Sequence, residues 1–435
     1  MVSLDALATS EPTGAGPIAA HLLPDTATVR PDGRLAIGGV GIDELVARFG
    51  TPLFVYDEEH LRARCREAVA AFGSQVAYAT KAFLCKAMAA LALEEGMLLD
   101  VSTAGELAVA LAAGAPPASL VLHGNNKSEA ELAEALELGV GRIVVDSFDE
   151  IDRLVRIGTD GPTRLSIRVT PGVAAHTHEY VMTGQEDSKF GFSLTSGAAG
   201  RALDALGSSP LAVDGVHAHI GSQILRLDAF EEEVALLVPF VTEAGLSELS
   251  IGGGLGVAYL NGEAAPSFAE WARTVKEACR AAGLPERVAL SAEPGRAIVA
   301  SAAVTCYTVG TIKTLPGIRT YVAVDGGMSD NPRPVLYGSG YEAFLASRAS
   351  APRPLVCRVV GKHCESGDVL VAEAHLPEDV AVGDVLVTPV TGAYGFSMAS
   401  NYNRLPRPAV VFVSGGQARV VVRRETVEDL LRLEP

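Results

Sequence analysis

Val76-Ala77-Tyr78-Ala79-Thr80-Lys81-Ala82-Phe83 is a short apolar run ending in one lysine; a helical run, Cys85–Glu95, and a second apolar run at 98–102 follow it. Strand, helix, strand is the unit from which parallel α/β folds are built. The pattern continues with apolar runs at 119–123, 142–146, 164–169, 213–220, 247–252 and 287–292. Helical runs such as Gly105–Ala113, Glu129–Leu138, Phe148–Ile157 and Phe230–Ala244 lie between them. Eight strand–helix units in roughly 225 residues predict an α/β fold, a (β/α)8 barrel. The competing arrangement is an open doubly wound sheet, but no G-x-G-x-x-G fingerprint follows the first strand.

Beyond about residue 300 helical runs become scarce and Val-rich strands with Gly, Pro and Asp punctuation take over. Arg319–Val324, Leu355–Val360, Asp368–Ala372, Asp384–Pro389, Ala409–Val413 and Ala418–Arg423 predict a C-terminal β domain of sandwich or barrel-like form. Ala27–Gly38 is also strand-like, split by the turn Pro31-Asp32-Gly33, and is expected to join that domain. The expected division is therefore residues 1–25 disordered, 26–50 packed with the β domain, 51–315 barrel and 316–435 β domain.

Composition narrows the function. A chain of 435 residues with 48% hydrophobic content can bury more than one core. A formal net charge of −17 argues against nucleic acid or an anionic membrane as partner, since phosphate surfaces call for a basic face. Six scattered cysteines without a C-x-x-C pair fit reduced thiols in the cytoplasm. Neither a signal peptide nor a membrane span is expected.

The chemistry-bearing residues sit where barrel strands end. Lys81 closes the first strand, where an amine can lose solvation, titrate lower and attack a carbonyl; a lysine that only snorkels from a strand end is the plainer reading. Gly252, Gly253 and Gly254 follow the seventh strand, and Gly295-Arg296 the eighth, the positions where barrels often hold phosphate. His217 and His219 share a face at the end of strand six, and Ser222 follows them. No matched carboxylate spacing accompanies the histidines, so no metal is expected. Glu293 is a carboxylate that can keep a pyridine nitrogen protonated, or simply cap a turn. In the β domain, Cys364 beside Glu365 offers a proton donor, Arg333 a fork for a carboxylate with Tyr337 four residues on, and Tyr394 a hydroxyl. Each of these three segments also reads as ordinary loop, surface or core.

Several motifs in order resemble the diaminopimelate decarboxylase family, pyridoxal phosphate enzymes of the alanine-racemase-like fold. They are Tyr78-Ala79-Thr80-Lys81-Ala82, His123-Gly124-Asn125-Asn126-Lys127, the 183–192 segment ending Ser188-Lys189-Phe190-Gly191-Phe192, and His219-Ile220-Gly221-Ser222-Gln223. The Gly252–Gly254 run, Glu293-Pro294-Gly295-Arg296, Asp325-Gly326-Gly327-Met328-Ser329-Asp330, Cys364-Glu365-Ser366-Gly367-Asp368 and Gly392-Ala393-Tyr394-Gly395-Phe396-Ser397 complete the series.

The resemblance implies that Lys81 holds the cofactor covalently and that His219 stacks on its ring. It places Ser222, Gly252, Gly253, Gly254, Gly295 and Arg296 near the phosphate, Glu293 at the ring nitrogen and Tyr394 beside the cofactor. Arg296, Arg333, Tyr337, Glu365 and Tyr394 become substrate-binding positions. Cys364 becomes the proton donor, reaching the site of the second subunit in a homodimer. The implied reaction is loss of CO2 from meso-2,6-diaminopimelate to give L-lysine in lysine biosynthesis. A relative acting on ornithine, arginine or a carrier-bound amino acid, a racemase, and a non-catalytic pyridoxal phosphate carrier are the alternatives. Two positions depart from the family pattern: Phe83 replaces the usual asparagine after Lys81-Ala82, and Pro332 precedes Arg333 where an apolar residue is usual.

Overall fold

All eight apolar runs form strands: β1 Ala77–Ala79, β2 Leu98–Val101, β3 Leu120–Leu122, β4 Arg142–Val145, β5 Arg164–Thr170, β6 Val213–Ala218, β7 Glu248–Ser250 and β8 Ala289–Ser291. The structure is a computed structural model and describes residues 16–158, 161–173, 187–207, 209 and 211–435. Neighbouring strands pair in parallel and in chain order. The ring is closed where Ala77 and Ala79 N–H donate to Ala292 and Pro294 C=O at 3.0 and 3.1 Å. The helices between strands start where sequence supplies caps. The Thr103 and Ser147 side chains accept N–H groups of their first turns, and Ser128 and Ser267 form capping boxes with Glu131 and Glu270. The barrel is filled rather than hollow. Ala77, Val121 and Val144 make a small inner cluster, and Arg142 forks onto Glu248 across the floor.

The second sheet hangs on one long strand, β9, Ala303–Leu315. Its first half pairs antiparallel with Leu53–Asp57 and Val385–Pro389, and its second half with Arg319–Val324. Leu53–Asp57 also pairs in parallel with Ala409–Ser414 and is buried along its whole length. Both flanks of the expected barrel, 51–57 and 303–315, therefore contribute to the β sheet. Nothing local in a short apolar run says which sheet will take it; here the burial of every residue is satisfied only between two β-domain strands.

The N-terminal segment differs from expectation twice. Thr28–Val29, Leu35–Ile37 and Val40–Gly41 form their own three-stranded sheet instead of extending the β domain. It is tied to that domain by Gly416 N–H to Gly38 C=O at 2.7 Å and Ala349 N–H to Gly33 C=O at 3.0 Å. Residues 16–25, expected to be disordered, are anchored: Leu22 is fully buried, Ala19 N–H donates to Asn261 Oδ1, and Arg353 Nε donates to Gly16 C=O. Low apolar content misled here because two side chains, Ile18 and Leu22, suffice to dock a short segment. Residues 1–15, and the 183–186 part of one motif, lie outside the described residues.

One core position runs against patterning. Glu233 is fully buried in the helix Asp228–Glu243, and neither carboxyl oxygen has a hydrogen-bond partner among the described residues. Burial holds its pKa well above the ordinary carboxylate value. The folded chain therefore keeps a proton that the unfolded chain releases above about pH 4.3, so stability falls as pH rises from there. Glu233→Leu should raise the stability at neutral pH by on the order of 1–3 kcal/mol. Thermal melts over a pH series should show that gain growing with pH. A lower Tm for the variant, or a gain independent of pH, would contradict the account.

Candidate active site

The carboxyl ends of the barrel strands and one side of the β domain enclose a cavity of about 430 Å³. Lys81, His219, Ser222, Gly253, Gly254, Glu293, Gly295, Arg296, Arg333, Tyr337 and Tyr394, all expected from sequence, line it. Lys81 lies in a 3-10 turn, Thr80–Ala82, at the end of β1. Of the two readings of its position, desolvated at the strand mouth or reaching out from the strand end, the second holds: Lys81 is exposed, because the turn aims it into the open cavity and not along the barrel wall.

The glycine loops have a packing reason as well as a binding one. Gly252 and Gly254 adopt φ of +62° and +110°. A Cβ on Gly252, Gly253 or Gly254 would run into the backbone oxygens of Ala218, Glu293 and Gly221 respectively. Adjacent strand-end loops thus close to backbone contact. Gly252 does not itself line the cavity, while Gly253 and Gly254 do.

Glu293 is the most constrained charge. His217 Nε2 meets its Oε2 at 2.8 Å, His123 Nε2 lies 3.3 Å from the same oxygen, and Ser250 Oγ donates to Oε1 at 3.3 Å. Burial works to raise its pKa, but the two imidazoles overcome this and hold it well below the ordinary range. Burial pushes His217 down to about 4, so it is neutral. His219 accepts the Gly253 N–H on Nδ1 at 3.3 Å, which leaves its proton on Nε2. Burial, then the nearby Lys81 charge, hold its pKa well below the ordinary value. The result is an uncharged ring in the cavity wall, suited to stacking.

The two arginines expected from sequence are held by neutral groups. Arg296 donates to Tyr259 Oη at 2.7 Å and Ser222 Oγ at 2.9 Å, and its guanidinium lies 4.9 Å from the Tyr394 ring centre. Arg333 donates to Tyr341 Oη at 2.5 Å and stacks over Tyr259 at 4.5 Å. Pro332 sits at the N-cap of the short helix Arg333–Tyr337 with αR backbone, so it starts that helix rather than displacing it. Phe83 is fully buried and stacks on Tyr56 of the β domain at 4.4 Å.

Cys364 and Glu365 are not among the cavity residues of their own chain; Cys364 is exposed on the β domain. Asp100, His123, Arg168 and Phe190 line the cavity and were not singled out as site residues. The rule that residues at the carboxyl ends of barrel strands face the site would have found three of them, in β2, after β3 and in β5. Tyr259 and Tyr341 were missed because nothing in their local sequence marks them as partners for Arg296 and Arg333.

The profile of the pyridoxal binding domain of the pyridoxal-dependent decarboxylases matches residues 58–300. The diaminopimelate decarboxylase of Mycobacterium tuberculosis is 47% identical over 440 residues, 96% of this chain and 98% of that protein. That of Bacillus subtilis is 45% identical, over 92% and 95%. The chain belongs to the diaminopimelate decarboxylase family of pyridoxal-dependent enzymes. Its structure is similar to a diaminopimelate decarboxylase from M. jannaschii in complex with L-lysine, with a TM-score of 0.87 at 32% identity over 94% of this chain and 98% of that one. The Helicobacter pylori enzyme with L-lysine gives a TM-score of 0.82 at 32% identity, over 90% and 98%.

The residues present fit the family's cofactor. The cavity offers a free-standing amine, an ionised buried carboxylate, a neutral imidazole face and a glycine cradle with an arginine beside it. Arg296 Nε is a buried donor without a partner among the described residues, as a position beside an anion requires. Lys81→Ala should lose both turnover and the absorbance of lysine-bound cofactor. Borohydride reduction followed by peptide mapping checks this: a lysine adduct still formed at full occupancy in the variant would move the anchor elsewhere.

Proposed function

We propose that the chain releases CO2 from the D-centre of meso-2,6-diaminopimelate and yields L-lysine, the last step of lysine biosynthesis. The observation that carries this reading is one cavity holding the Lys81 amine, the ionised Glu293 and two arginines, in a chain 47% identical to diaminopimelate decarboxylase along 96% of its length. In this reading Lys81 holds pyridoxal phosphate by its amine, Ser222, Gly253, Gly254, Gly295 and Arg296 surround the phosphate, with Gly252 shaping their loop, and Glu293 faces the ring nitrogen. When bound, the cofactor supplies an electron sink for the pair left behind as CO2 departs.

The chain's own groups do the rest. Glu293 stays ionised and so favours a protonated partner across from it. His219, uncharged, covers a ring face without adding a competing charge. Arg333, oriented by Tyr341 and Tyr259, takes the distal carboxylate of the substrate, with Tyr337, Tyr394 and Arg296 nearby. Cys364 and Glu365 come from a second copy of the chain: Cys364 returns a proton to the α-carbon and Glu365 takes the distal ammonium. Their absence from their own chain's cavity supports a homodimer with shared sites. Free cysteines throughout the described residues support a cytoplasmic setting. Among those residues no helix is long and apolar enough to cross a membrane.

Two measurements decide the reading. Each charge-assisted contact to the distal head should be worth about 1.5–3 kcal/mol, so Arg333→Ala should lower kcat/KM for diaminopimelate by at least about tenfold. L-Lysine, ornithine and arginine, which leave Arg333 unpaired, should be poor substrates. Equal turnover of ornithine or arginine by the wild type, or a ranking untouched by Arg333→Ala, would replace the substrate. For the shared site, inactive Lys81→Ala and Cys364→Ala chains are mixed under conditions of proven subunit exchange. Hybrid dimers should regain part of the activity; no recovery would mean a site built within one chain.

A further inference from the structure

His123 and Asp100 line the cavity beside Glu293, yet the reaction as derived gives them no part. His123 Nε2 lies 3.3 Å from Glu293 Oε2 and 3.8 Å from Asp100 Oδ1. Neither contact is an aligned hydrogen bond: His123 Nε2 and Asp100 Oδ1 are both buried and lack hydrogen-bond partners among the described residues. Two carboxylates buried this close to one imidazole cannot both remain ionised without a cation between them. The other nearby cationic or basic groups act on this pair from farther off or without a proton to share. Arg168 is directed at Asp146, 3.8 Å away, and at the Phe190 ring, 4.2 Å away. His217 is tied to Glu293 and neutral, and Lys81 stands out in the cavity.

We infer that His123 is a positioning residue which, held as an imidazolium between Asp100 and Glu293, keeps Glu293 ionised and fixed in the cavity wall. Burial alone would strip its proton, and the Arg168 charge works in the same direction. The charges of Asp100 and Glu293 outweigh both and raise its pKa above the ordinary histidine value. Burial raises the pKa of Asp100, with the Glu293 charge adding to it and His123, Lys81 and Arg168 opposing. Two carboxylates and one imidazolium leave one net negative charge, which a protonated ring nitrogen would neutralise. His123 thereby sets how strongly Glu293 favours that proton. The inference rests on the pyridoxal reading of the cavity and is independent of which amino acid is decarboxylated.

The test uses the holoenzyme and three readouts: the pH dependence of the bound cofactor's absorbance, the pH dependence of kcat and KM, and histidine ring signals by NMR. In wild type His123 should keep its second proton above the ordinary value of about 6.5. His123→Gln should retain the cofactor but gain an acid limb, since Glu293 and Asp100 then compete for a proton. On that limb kcat should fall about tenfold for each pH unit below the new pKa, with KM nearly constant and the absorbance changing over the same range. Asp100→Asn removes the competing charge, so it should show no such limb and should lower the pH at which His123 loses its proton. If His123→Gln does not fold, the wild-type and Asp100→Asn ring titrations still decide. A neutral His123 at pH 6, a pH profile unchanged in His123→Gln, or a defect confined to KM would overturn the inference. A wrong substrate would instead leave the absorbance and ring titrations intact while diaminopimelate failed to turn over.

Discussion

Closure of the barrel is the constraint on which everything else rests. β1 and β8 are far apart in the chain, yet Ala77 and Ala79 donate to Ala292 and Pro294 as if they were neighbours in one sheet. That seam sets Lys81, at the end of β1, beside the turn Glu293-Pro294-Gly295-Arg296, at the end of β8. The approach is so close that a Cβ on Gly295 would press on Ala79 and Ala82. A parallel sheet left open would put the lysine and the carboxylate at opposite edges. The chemistry therefore depends on eight strands meeting in register, and the glycines at their ends are the condition for meeting.

The β domain completes the wall through an apolar joint. Phe83, two residues after Lys81, stacks on Tyr56 and meets Phe396 and Phe412 at 6.0 and 6.4 Å. Tyr78 Oη donates to Phe83 C=O, and Tyr394 N–H donates to Ala82 C=O at 2.8 Å. Tyr394 reaches this position with φ of +59°, a conformation that costs energy for a residue with a side chain. The joint therefore grips the backbone immediately after the lysine. It fixes where the amine can point without touching the amine. The Phe83 ring is part of this grip.

The barrel was legible because its signal is local and repeated: each strand is a short apolar run, and helical runs lie between them. Lys81, Glu293 and the glycine run were legible because their positions at strand ends follow from that count. What escaped were facts of assembly. Leu53–Asp57 looks like any barrel strand; only its partners, β9 and Ala409–Ser414, say otherwise. Tyr259 and Tyr341 matter because distant arginines meet them. Cys364 and Glu365 illustrate the limit from the other side: their motif is conspicuous, yet they do not line their own chain's cavity.

The electrostatics of the site resolve an apparent conflict with the chain's net charge of −17. Arg296 and Arg333 are buried, and among the described residues neither forms an ion pair with a carboxylate. Tyrosine hydroxyls, a serine and aromatic faces orient them instead. Neutral partners fix geometry without neutralising charge, so each guanidinium keeps its attraction for an incoming anion. On the opposite wall Glu293 is held by imidazoles, and its negative charge likewise remains available. Arginines without a carboxylate partner on one side and a net negative wall around Glu293 on the other suit a ligand pair of the complementary kind: phosphate and carboxylate on one side, a protonated ring nitrogen on the other. An acidic protein can thus hold anions, because the local field is set by which charges the fold leaves unpaired and not by their sum.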